Sequence, residues 1–228
     1  MHRVVVVFLG ALGLAGVGCG NDGSTASTGT TEPPYGCSAE DAPTRTASCV
    51  VAFEPGEDGG FGADRFPEVL YGEPLGNGTT SGGLDVISLG RGGSIVIGFG
   101  GNTIVDGEGP DFVVFENPFL VGDDPNNVYA ELAEVSVSAD GETWHVFPCA
   151  EDTTPPAGCA GYSPVFANGD LGISSVDPAV SGGDTFDLAE LGVEEARFVR
   201  IRDLQGIGAE PNAGFDLDAI AVLHAKVP

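Results

Sequence analysis

The chain has 228 residues, with 37 glycines, 16 prolines and 34 acids against 8 Lys and Arg, for a formal charge of −26. Such a charge repels nucleic acid and anionic lipid surfaces, and it favours cations or neutral polymers as partners. So many glycines and prolines leave little uninterrupted sequence for long helices.

The first segment reads MHRVVVVFLGALGLAGVGCGNDG. Arg3 precedes an uncharged stretch over residues 4–18. This is shorter than the ~20 residues of a membrane span and matches the apolar core of a signal peptide. Its end at Gly18-Cys19, after small residues, resembles the lipobox of bacterial lipoproteins, although Gly16 stands where that family prefers Leu. The resemblance implies a signal peptide over 1–18, lipidation of Cys19 and attachment to a membrane through the lipid. The alternative is an ordinary secreted protein with a spare cysteine.

Cysteine arithmetic agrees with the lipid. Five cysteines are odd for an exported protein, but without Cys19 the remainder are Cys37, Cys49, Cys149 and Cys159, two pairs that each close a short loop. The expected disulfides are Cys37–Cys49 and Cys149–Cys159. Neither pair has the spacing of a zinc knuckle, and no His lies near both. Residues 19–34 are Ser, Thr, Gly and Pro with scattered acids, the composition of a flexible tether. Residues 35–228 are long enough for a single domain with its own core.

Within that domain, short runs rich in Val, Ile and Phe recur between turn residues, the pattern of an all-β antiparallel sandwich. Strands are expected at 94–99, 112–116, 133–138, 144–148, 196–203 and 219–225. Alternation on both sides of Asp140-Gly141 in VSVSADGETWHVF marks a hairpin. Only DTFDLAELGV suggests a helix, a turn or two capped by Asp184 or Asp187.

The segments VSVSADGETWHVF, ARFVRIRD and GFDLDAIAVLH, in that order, resemble the last strands of discoidin (coagulation-factor type C-like) domains and of the wider galactose-binding-like jelly-roll sandwiches. The hairpin carries the valine-serine alternation, the Asp-Gly turn and the Trp of that pattern. Asp218 stands where the final strand usually has Glu. The whole domain, including SLGRGGSIVIGF, GPDFVVFEN and GGDTFDLAELG, also resembles a group of bacterial cell-surface lipoproteins. These resemblances imply a sandwich at the outer membrane or cell surface, with Trp144 in its core. They also imply a structural calcium near the strand ends, with Asp216 or Asp218 as a ligand.

The stretch DGEGPDFVVFENPF places Asp106, Glu108 and Asp111 in a loop before an apolar strand that ends at Glu116-Asn117. A hard cation takes six to eight oxygens, which loop carboxylates and backbone carbonyls can supply. Ca2+ is therefore one expectation, with Asp106, Glu108, Asp111, Glu116, Asp216 and Asp218 as ligands; a solvated loop is the other. The spacing is not that of an EF-hand. For Asp216 and Asp218 there is a metal-free alternative. Period two puts them on the face of Ile220 and Val222, where Arg200 and Arg202 of a neighbouring strand would form bidentate pairs with them. Asp177, Asp184 and Asp187 form a further acidic group, readable as turn formers and caps or as a second cation site.

Nothing in the sequence marks a nucleophile. His145 lies on a strand and His224 near the C-terminus, and neither sits in a glycine-rich turn. With so many acids, a carboxylate pair for hydrolysis is available but unspecific. Tyr71, Phe119, Tyr129 and Tyr162, with Asn102 and Asn117, are candidates for a binding rim. The expected function is a non-catalytic, lipid-anchored binding or adhesion module for glycan or another surface polymer. Its alternatives are a structural envelope protein and a secreted hydrolase.

Overall fold

Runs of β-branched and aromatic residues between glycine turns form fifteen strands in the computed structural model, which describes residues 36–226. The expected signal segment 1–18, Cys19 as the expected lipidation site and the expected tether 19–34 lie outside the described residues. In chain order the strands are β1 (Cys49–Glu54), β2 (Ile87–Ser88), β3 (Ser94–Gly98), β4 (Thr103–Val105), β5 (Phe112–Phe115), β6 (Phe119–Leu120), β7 (Val128–Tyr129), β8 (Ala133–Ser138), β9 (His145–Val146), β10 (Asp184–Phe186), β11 (Glu195–Ala196), β12 (Phe198–Asp203), β13 (Asp216–Leu217), β14 (Ala219–Val222) and β15 (Ala225–Lys226). All pair antiparallel. They make a five-stranded sheet β1-β3-β12-β8-β9, three-stranded sheets β10-β5-β14 and β11-β4-β15, and the two-stranded pairs β13-β2 and β6-β7.

The five-stranded sheet has one wet face and one dry face. Ile95, Ile97, Val135, Val137, Val199 and Ile201 are fully buried, while Ser94, Val96, Arg200 and Arg202 retain exposure. This is the period-two pattern of a half-buried sheet. β5 differs. All four residues of its FVVF are buried: Phe112 and Val114 enter the main core with Ile220 and Val222 of β14, whereas Val113 and Phe115 enter a second cluster with Ala219, Ala221, Val165 and Ala167. A continuous apolar run suits a strand covered on both faces. Phe112, Phe147 and Phe186 meet at centroid distances of 5.9, 5.2 and 4.9 Å in the main core.

Both expected disulfides, Cys37–Cys49 and Cys149–Cys159, are formed. They suit an oxidising compartment. Among the described residues, no helix is long and apolar enough to cross a membrane. The hairpin joins β8 to β9 in the register Ser136↔Val146, but through a wider loop than an Asp-Gly turn alone. Asp140 Oδ1 accepts the N–H groups of Glu142 and Thr143, and Ser138 Oγ accepts that of Gly141, whose φ of 79° suits glycine. Asp187 caps the short 3-10 turn Leu188–Leu191 by accepting from Ala189 N–H, and Asp177 caps the one-turn helix Pro178–Ser181 in the same way. Asp184 instead begins β10 and accepts from the N–H groups of Gly161, Tyr162 and Ser163.

Three sequence expectations are corrected. β12 lies between β3 and β8 while β14 pairs with β5, so the Arg–Asp pairs cannot form. Arg202 pairs with Glu134, and Arg200 donates to Ser136 Oγ. The chain also changes sheet at Asp218, between β13 and β14. Leu217 as well as Ile220 and Val222 enters the core, so Asp216 and Asp218 do not share one face with Ile220. Trp144 lies outside the core, half-buried, with the guanidinium of Arg200 4.4 Å from its ring centroid.

Candidate functional site

The six acids offered by the sequence separate in space. Asp106 and Asp111 meet Asp187 at the β4–β5 loop, with one oxygen from each carboxylate within 4.8 Å of the others. Asp111 is fully buried, and both of its oxygens carry donors. Oδ1 accepts from Gly107 N–H at 2.8 Å and lies 2.8 Å from His224 Nδ1; Oδ2 accepts from Leu188 N–H at 2.7 Å. Asp187 is engaged as a cap. These hydrogen bonds join the loop, the Leu188 turn and the C-terminal segment, while the exposed Asp106 carboxylate stays open, so the group retains oxygens that could hold a cation. Glu108 is exposed and belongs to neither acidic cluster.

Glu116 and Asp216 meet a third acid that sequence reading did not single out. Glu116 follows β5, Glu131 precedes β8 and Asp216 opens β13. The three are 2 %, 3 % and 8 % exposed, and one oxygen from each lies within 4.8 Å of the others. Ser88 Oγ–H donates to Asp216 Oδ1, and Asn117 Nδ2 donates to Oδ2 at 3.3 Å. Glu116 Oε2 and Glu131 Oε1 are buried with no hydrogen-bond partner. Among the described residues, no Lys, Arg or His pairs with any of the three.

Burial and mutual repulsion act together on these groups. Loss of hydration, followed by the charges of Asp216 and Asp203, pushes the Glu131 carboxyl up to about 8. Burial pushes Asp216 up to about 6, against the lowering effect of Ser88 and Asn117. Glu116 is held well above the ordinary range by burial first and then by Asp216 and Glu131. Three carboxyls taken out of water against one another must bind protons or a cation. An all-oxygen set with two unpartnered oxygens suits a hard divalent ion such as Ca2+, whose remaining ligands would come from backbone carbonyls, water or a bound hydroxyl. Asp218 is buried nearby and accepts from Leu75 N–H at 3.2 Å; with Glu116 it borders a tight crevice rather than joining the triad. Burial, then Asp85, also raises its carboxyl.

The triad opens into a cleft of about 360 Å³, where Glu131 and Asp216 meet Asn117, Asn212, Phe61 and Phe119. Tyr129 completes the wall. It pairs with Phe119 across β6 and β7, with their rings stacked at 5.2 Å and 19°, and remains 38 % exposed. Of the candidate rim residues, Phe119, Tyr129 and Asn117 therefore come together here. Asn102 is buried and donates to Thr44 O, Tyr71 packs against the core, and Tyr162 lies in a separate groove with Leu132 and Gln205. Glu131 escaped notice because it sits in YAELAEV among other acids, with no turn residue or spacing to mark it. In comparison with known proteins, no family matches the chain, and no curated protein is similar to it in sequence.

Proposed function

We propose that this chain is an exported, lipid-anchored binding module that holds a glycan or other neutral surface polymer in the Glu131–Asp216 cleft, with Ca2+ bound by Glu116, Glu131 and Asp216. The observation that carries this reading is the pair of partnerless, buried carboxylate oxygens beneath a cleft walled by stacked aromatics. Exposed rings beside convergent polar groups suit a sugar, which offers an apolar face and hydroxyls to a ring and to oxygen ligands.

Residues from the five-stranded sheet and from the β10-β5-β14 sheet share one core, which supports a galactose-binding-like sandwich with the cleft at a strand end. The two disulfides consume four of the five cysteines and leave Cys19 for the lipid. Repulsion between an acidic surface and anionic lipid is consistent with attachment by a lipid anchor rather than by surface charge.

The test is thermal unfolding of the chelator-treated protein as Ca2+ is added, followed by titration with neutral oligosaccharides with and without the ion. Saturable stabilisation through linkage, lost in Glu131→Gln and Asp216→Asn, supports the reading. Equal stabilisation by sodium chloride, or by Ca2+ in those variants, sinks it. Stabilisation without oligosaccharide binding points to a structural envelope role.

A second reading has one observation in its favour: Glu131 and Asp216 both border the cleft, and burial holds Glu131 the higher, at about 8 against about 6, the order needed for an acid beside a more readily ionised base in glycoside hydrolysis. Release of phenol from aryl glycosides at a rate abolished by Glu131→Gln would replace binding with hydrolysis. No release over a range of pH would leave the non-catalytic reading standing.

A further inference from the structure

On the exposed face of the five-stranded sheet, Arg200 of β12 lies between Val96 of β3 and Ser136 of β8 as their cross-strand neighbour. Its Nε–H donates to Ser136 Oγ at 3.0 Å, and its guanidinium stacks 4.4 Å from the Trp144 ring centroid. The plane is thus fixed by two contacts, neither of which neutralises it. Arg65, Arg91, Arg202 and Lys226 each pair with an acid, yet among the described residues no carboxylate lies within ion-pairing distance of Arg200. Arg45 and Arg197 also lack an acid, but Arg45 donates to the carbonyls of Val222 and Leu223 and Arg197 lies over the Phe198 ring, so what sets Arg200 apart is the groove it lines.

Arg200 and Trp144 line a groove of about 250 Å³, with Ala52 and Val96 supplying apolar surface and Glu54 and Ser94 supplying polar groups. A guanidinium held in one plane presents its remaining N–H groups as a fork, which matches the two oxygens of a carboxylate. The aromatic edge and apolar strand residues suit the body of a sugar ring, and Ser94 and Glu54 suit its hydroxyls.

We infer that this groove is a second ligand site, which takes the carboxylate of an acidic sugar unit on the Arg200 fork beside Trp144. It is separate from the triad cleft and needs no cation. The net charge of −26 limits the ligand to sparse or short acidic saccharides, since a dense polyanion would be repelled.

Trp144 is the sole tryptophan, so its fluorescence reports on this groove and on no other. The experiment titrates the purified protein with a galacturonic acid trimer and with its fully methyl-esterified, neutral form, both in chelator. The expected result is saturable quenching or a spectral shift with the acid and none with the ester. Arg200→Gln should weaken binding about tenfold or more, with Arg200→Lys intermediate because it keeps the charge and loses the fork. Glu131→Gln should bind as the parent does, which separates this site from the cation-dependent cleft. Thermal unfolding of each variant establishes that it is folded. No fluorescence response to the acid, an equal response to the ester, or an undiminished response in a folded Arg200→Gln would each overturn the inference.

Discussion

His224 Nδ1 lies 2.8 Å from Oδ1 of Asp111, two residues 113 apart in sequence. That contact turns the most conspicuous acid of the β4–β5 loop into a structural clamp. Asp111→Ala leaves the buried N–H of Leu188 without an acceptor and frees the exposed Gly107 N–H to water, at about 1–3 kcal/mol for the orphaned donor. Urea unfolding should show this loss equally with Ca2+ and with chelator. Asp106 is exposed, so Asp106→Ala should change stability by less than about 0.5 kcal/mol. A calcium response abolished by Asp111→Ala in a protein that remains folded would return the cation to this loop.

The triad predicts an inverted mutational sign. Without a cation, replacing Glu116, Glu131 or Asp216 by its amide removes a buried like charge or the need to protonate it. Each amide variant should therefore unfold in chelator at or above the parent's melting temperature at pH 7.5. In saturating Ca2+ the order should reverse, since the variants lose the ligand charge that gives the parent its gain. Calorimetry with and without the ion checks both halves. Variants less stable than the parent in both conditions would mean that the carboxyls serve packing alone.

The pH profile in chelator follows from the same groups. The folded Glu131 carboxyl titrates at about 8 against an ordinary 4.5, and Asp216 at about 6 against 3.8. Between those values the folded state holds protons that the unfolded state has released, so stability falls as pH rises. The Asp216 contribution is lost by about pH 6 and that of Glu131 by about pH 8. Melting temperatures in chelator should decline across this window, more shallowly in Glu131→Gln. Saturating Ca2+ should flatten the slope, because both carboxyls are then ionised in the folded state. A rise in stability over the window, in chelator, would mean that the triad is relieved by some other group.

The sequence made the strands legible where apolar periodicity was strong: 94–99, 112–116 and 133–138 correspond closely to β3, β5 and β8. It hid the sheet change at Asp218, because GFDLDAIAV alternates without a Gly or Pro to mark the break. The mistaken Arg–Asp pairs came from that hidden break. Glu116 and Asp216 were legible as strand-end acids, but their meeting with Glu131 depends on contacts between segments far apart in the chain. Trp144 was misplaced for a related reason: its position in the hairpin was readable, but the arginine that holds it on the open face comes from β12.

The Cys149–Cys159 bridge connects stability to the triad. Cys159 is followed by Ala160, which exchanges backbone hydrogen bonds with Ala133 at 3.0 Å in each direction, at the start of β8. The next residue, Gly161, packs so closely that a Cβ there would lie 2.1 Å from the carbonyl oxygen of Glu131. The bridged loop therefore buttresses the backbone that carries Glu131. Opening it by Cys149→Ser with Cys159→Ser should cost about 3 kcal/mol through the regained freedom of the unfolded chain. The same pair of changes should also weaken Ca2+ binding as the Glu131 backbone loosens. The Cys37–Cys49 bridge closes a loop of similar length and packs against Gly98, and Cys37→Ser with Cys49→Ser opens it. That opening should cost a similar amount and leave Ca2+ affinity unchanged. Calcium titration of the two double variants under conditions where both are folded separates a positioning effect on Glu131 from a general loss of stability; equal affinities in both would show that the bridged loop does not support Glu131.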